Sequence, residues 1–189
     1  MGKILENLHR TLAAGVVLAI VILLWRHSDQ LSDRGFWTGI FRWVHVFTGV
    51  LWIGLLYYFN FVQMPTMPKI PDELKPAVGK HIAPAALYFF RGAAAATVLF
   101  GILTAGAGDY ISALWFQQYP TIGVGMWLAL IMAANVWGII WPNQKKALGI
   151  VEATPDEKKA AARLAMLASR TNTMLSIPML YCMVMNKLG

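Results

Sequence analysis

Histidines and an arginine set within or beside apolar sequence are the residues best placed to do chemistry in this chain. His45 stands alone among hydrophobic neighbours in the segment RWVHVFTGVLWIG. An ionisable side chain in hydrocarbon is costly, so one that persists there has a structural partner or a ligand. Two histidines from facing helices at one depth can hold a b-type haem through neutral imidazoles. His27 falls at the level of His45 and makes one such pair; His9 and His81 would make another at the opposite surface. Surface histidines also occur without any ligand, and His45 alone could serve as a single ligand, a proton-transfer group or a hydrogen-bonding group.

Arg91 lies about nine residues, roughly 13 Å of helical rise, into its apolar block. No acidic residue lies within any such block to neutralise it. It either snorkels through the surroundings of Tyr88, Phe89 and Phe90 or binds an anionic or acceptor group: a haem propionate, a quinone oxygen or a phospholipid phosphate. Asn135, Asn172 and Ser176 form a further polar cluster, with Asn172 and Ser176 on one helical face. Its simplest role is interhelical hydrogen bonding around Pro178, and its sharper one is lining a cavity. Ala93, Thr97, Gly101 and Ala105 repeat at i+4 spacing, a ridge of small residues that lets another helix approach, either in the same bundle or from another membrane subunit.

These residues need helices to position them. The chain is 58% hydrophobic and only 13% charged over 189 residues, with a mean hydropathy of +0.55. That is too apolar for a soluble domain, where about a quarter of residues are charged. Apolar blocks predict an all-α integral membrane bundle of about five transmembrane helices in a single domain 1–189, with spans near 4–25, 43–62, 82–107, 122–141 and 160–186. The stretch RHSDQLSDR after the first block carries no small-residue cleavage site, so that block reads as a retained span.

The net charge of +7 does not point to nucleic acid, because most basic residues lie in the loops. Lys3, Arg10, Lys69, Lys75, Lys80, Lys145, Lys146, Lys158, Lys159, Arg163 and Arg170 share one side, against Arg26, Arg34, Arg42 and Lys187 on the other. The positive-inside rule then places the N-terminus in the cytoplasm and the C-terminus outside. The loop MPTMPKIPDELKPAVGK, with prolines at 65, 68, 71 and 76, is expected to lie extended on the membrane surface. Ala107 to Thr121 reads as an interfacial aromatic segment holding a short surface helix. Thr154-Pro155-Asp156-Glu157 reads as a helix start that runs into the last span.

Cys182 is the lone cysteine, which excludes an internal disulfide and a CxxCH haem site. No phosphate loop, HExxH pair or cysteine cluster is present, so neither hydrolase nor metal-site chemistry is expected. Transport is disfavoured by the lack of repeats and of intramembrane carboxylates.

RWVHVFTGVLWIG at Arg42 to Gly54, ALYFFRGAAAATVLFGILT at Ala86 to Thr104, IIWPNQKKAL at Ile139 to Leu148 and ASRTNTMLSIPMLY at Ala168 to Tyr181 resemble the membrane domain of the bacterial cytochrome c-dependent urate oxidases. The third block of that family carries a histidine and a glutamate where this chain has Tyr88 and Ala93. The resemblance implies a stand-alone form of that domain in the bacterial inner membrane, a redox or electron-transfer component working with a separate cytochrome c. It implies haem b or a quinone as cofactor, with His45 and His27 as ligands or proton-transfer groups and Arg91 as the anion partner. The other reading is a non-catalytic accessory subunit, packed among lipids against a larger respiratory, photosynthetic or oxygenase complex through the small-residue ridge and the aromatic loop. Whether the chain is itself an enzyme is left open by its residues.

Overall fold

The computed structural model describes residues 2–185, and every regular element among them is a helix. The end of the last expected span at 186, and Lys187 beyond it, lie outside the described residues. Five long helices organise the chain: α1 (Leu8–His27), α2 (Arg34–Lys69), α3 (Lys75–Ala107), α4 (Pro120–Ala147) and α5 (Pro155–Met185). The first four are long and apolar enough to cross a membrane. Helix α5 has 31 residues, but its first turns carry Asp156, Glu157, Lys158, Lys159, Arg163 and Arg170.

Local chemistry sets the helix starts. Asn7 caps α1 by accepting a hydrogen bond from the Arg10 N–H at 3.1 Å, so α1 begins at Leu8 instead of near Ile4, and Gly2–Leu5 forms a separate turn. Asp33 caps α2 through the Gly35 N–H at 2.9 Å. At α5 the Thr154 N–H donates to Glu157 Oε2 at 2.7 Å and the Glu157 N–H to Thr154 Oγ1 at 3.3 Å, a reciprocal capping box with Pro155 at the first helical position.

The proline-rich connection is not extended as its composition suggests. Most of it is wound into helical turns, Met64–Thr66, Met67–Lys69 and Lys75–Ala77, each with proline in its first two positions, and only the stretch around Ile70 breaks the path. The fixed φ of proline suits the first turn of a helix as well as an extended chain. Prolines also explain three π-helical segments, Tyr58–Gln63, Val78–Ile82 and Val136–Ile140. Each is followed two residues later by a proline, at 65, 84 and 142. The ring cannot donate to the carbonyl four residues back and clashes with it, and the helix widens to accommodate this. The residue before each proline, Met64, Ala83 or Trp141, accordingly donates five residues back, to Phe59, Val78 or Val136.

Helices α2 and α3 pack as one pair, and α4 and α5 as another. The pairs join over a core in which Trp52, Leu56, Phe90, Met132, Val136 and Ile140 are fully buried. Between Ala107 and Pro120 a 3-10 turn, Ile111–Trp115, forms the expected short surface helix. Helix α1 has no buried residue at all.

Candidate functional site

The ridge on α3 is what brings α2 close. Ala93, Thr97 and Ala105 are buried, Gly49 of α2 faces the Thr97 methyl, and an added Cβ on Gly101 would stand 3.0 Å from His45 Cε1 and Nδ1. The small residues therefore serve packing inside this chain. His45 Nδ1 lies 2.8 Å from the Thr97 carbonyl oxygen. A carbonyl only accepts, so Nδ1 carries the proton, and in the neutral ring Nε2 keeps its lone pair. Anchoring one ring nitrogen on a backbone carbonyl is how a protein fixes the tautomer and aim of a ligating or basic histidine. The hydroxyls of Thr48 and Thr97 lie 3.2 Å apart, and each also bonds the carbonyl one turn back in its own helix, at Val44 and Ala93.

His27 is held elsewhere. Its Nδ1 is 3.1 Å from Gln30 Oε1, and its ring lies against Phe36 with centroids 6.1 Å apart. About 13 Å of helical rise separates Phe36 from His45 along α2. The two histidines that share a level in the sequence are not brought onto one ligand position.

Arg91 reaches from α3 to α4. Its Cζ lies 3.4 Å from the centre of the Trp141 ring, and Lys145 Nζ lies 5.7 Å from that same ring. Neither cation has an acidic partner among the described residues, where the ion pairs are Arg34 with Asp109 at 3.0 Å and Lys75 with Asp72. Beside Arg91 a groove of about 390 Å³ opens between α2, α3 and α4, walled by Thr48, Leu51, Tyr88, Phe89 and Trp137 and floored by Gly92, Ala93 and Ala96.

The polar cluster forms, though not as one group. Asn135 Nδ2 donates to Asn172 Oδ1 at 2.8 Å and to the Ala168 carbonyl at 3.0 Å, and Asn172 Nδ2 donates to the Met132 carbonyl at 3.0 Å. Ser176 instead meets the Tyr57 hydroxyl at 2.9 Å. Asn60, which the sequence reading missed, donates to Ser169 Oγ at 2.8 Å and to the Leu56 carbonyl at 2.9 Å. The one sign of it was a lone carboxamide in the apolar run YYFNFV. Two acceptors around each Nδ2 force the orientation of Asn60 and Asn135, and their Oδ1 atoms are left buried without a donor.

The family model described as urate oxidase N-terminal matches residues 91–189, just over half of the chain. The matched stretch begins at Arg91 and takes in Trp141, Asn135, Asn172 and Ser176, whereas His45 lies before it. Neither a curated protein nor a solved structure matches the chain.

Proposed function

Because the chain belongs to the urate oxidase N-terminal family, we propose that it is a membrane-embedded redox component that oxidises urate or a close relative of it by two electrons and delivers them singly to two molecules of a separate cytochrome c. The observation that carries this reading is the His45 clasp. With Nδ1–H committed to Thr97, Nε2 is the basic atom that takes the proton as the substrate loses electrons. The charge distribution favours the bacterial inner membrane with the basic loops, and so the N-terminus, on the cytoplasmic side.

His27 and His45 do not build a bis-histidine haem site, since His27 is engaged with Gln30 and Phe36, and no step is assigned to haem. In membranes carrying the chain with an added cytochrome c, urate is expected to drive reduction of the cytochrome, followed by its reduced α band. His45→Ala should lower that rate by about a hundredfold or more with the helical content kept. Absence of any urate-dependent reduction would remove the redox reading.

A second reading, a non-catalytic accessory subunit, is favoured by α1, none of whose twenty residues is buried in the bundle. The small-residue ridge is covered by α2, so α1 and the exposed Trp115 and Phe116 of the surface loop would carry the contact. Stoichiometric recovery of another membrane protein in mild detergent, with no cytochrome c reduction, would select this reading.

A further inference from the structure

We propose that the groove beside Arg91 binds one anionic phospholipid, with the phosphate on Arg91 and Lys145 and an acyl chain laid along the groove. Two cations from two different helices converge on one indole ring, and no carboxylate accompanies them among the described residues. Stacking on the face of Trp141 holds the guanidinium but satisfies none of its N–H groups, which lie in its own plane and point away from the ring. Arg91 makes no hydrogen bond to the protein among the described residues, so those donors call for an acceptor from outside the chain. A phosphate diester offers two oxygens to the planar fork and negative charge to both cations.

The position fits a headgroup. Trp141 ends the apolar stretch of α4 and is followed by Pro142, Asn143, Gln144 and Lys145, the mixture of aromatic and basic residues found where a span meets the lipid headgroups. Although the Arg91 backbone is deep in the apolar block, its side chain reaches back to that level. From there the groove follows α3 toward the middle of the bundle over Gly92 and Ala96, with Leu51 on the facing wall. Tyr88 to Ala96 spans about 12 Å of helix, and the small residues leave a channel for a chain of methylenes. A neutral quinone would offer Arg91 a carbonyl but no charge for Lys145. Neither the two cations nor the groove has a part in the redox reading.

The test is to reconstitute the full chain in mixed vesicles of phosphatidylcholine and phosphatidylglycerol, extract it in mild detergent, and count retained lipid by native mass spectrometry. Phosphatidylglycerol should be retained over phosphatidylcholine. Arg91→Gln and Lys145→Gln should each reduce its retention about fivefold, and Arg91→Lys should recover part of the loss. Lys158→Gln, which lies against Gly149 and outside the groove lining, should leave retention unchanged. Circular dichroism checks that each variant folds, and Lys145→Gln, at a half-buried position, carries the test should Arg91→Gln fail to. Equal retention of the two lipids, or unchanged retention in the glutamine variants, would overturn the proposal. So would a loss in Lys158→Gln as large as in Arg91→Gln, which would mark diffuse surface attraction. Displacement of phosphatidylglycerol by added ubiquinone would assign the groove to a quinone instead.

Discussion

Gly101 has no side chain because His45 lies where one would stand. An added Cβ would meet the imidazole at 3.0 Å on two atoms, so the ring would have to give by a few tenths of an ångström, and it is tied by its bond to Thr97. Gly101→Ala should therefore cost about 1–3 kcal/mol by overpacking, read as a fall in thermal stability in mild detergent, and should shift the His45 imidazole nitrogen resonances. An unchanged resonance would mean that the ring is not clasped. His45, Arg91, Asn135 and Asn172 were all visible in the sequence as polar types in apolar surroundings. Their partners were not. His45 is held by a backbone carbonyl, which no residue type announces, and Arg91 by a tryptophan about fifty residues away, whose ring could equally have faced lipid. Tyr57 and Asn60 were hidden because their neighbours read as ordinary span.

At the scale of single helices, the signals that worked were those with a local mechanism. Thr154 to Glu157 forms the capping box that its residue types require. The Glu157 carboxyl is held below the ordinary glutamate value of 4.5, first by the backbone N–H of Thr154, then by its hydroxyl, with Lys146 adding a smaller pull. A carboxyl with a depressed folded value stabilises the fold above its unfolded value, and the contribution is lost as the pH falls through the folded one. The first turn of α5 should thus loosen below pH 4.5, seen as faster amide exchange in the residues after Pro155 once corrected for intrinsic rates. Glu157→Gln should flatten that dependence. What failed at this scale was the reading of the proline-rich loop as extended. Pro65, Pro84 and Pro142 do not end their helices but widen them, because a helix supported on its sides by neighbours can yield by one residue more cheaply than it can stop.

For the whole molecule, apolar content and block lengths were enough to establish an all-α chain with helices long and apolar enough to cross a membrane, because in lipid a helix must satisfy its own backbone. They could not say which helices pack together. The apolar residues of α1, among them the exposed Leu12, Val16, Val17, Ile20 and Val21, lie all round it and none is buried, and such a pattern is the same whether protein or lipid surrounds the helix. Stability should therefore be concentrated in the other four helices. Leu56→Ala, at a site with no exposure, should cost about 2–5 kcal/mol, and Ile20→Ala should stay within about 0.5 kcal/mol of the parent chain, both measured by thermal unfolding in the same detergent. A large loss at Ile20 would show that α1 docks on the bundle.

The isolation of α1 also decides where the chain can change over evolutionary time. A survival screen scored on folding alone would see little from Leu12 to Leu24, since no side chain there is buried in the rest of the protein. Those positions answer only to what lies beside them in the bilayer. Drift along this helix can acquire or exchange neighbours without renegotiating the fold, and any position in it that resists replacement in a functional screen reports a contact outside the chain.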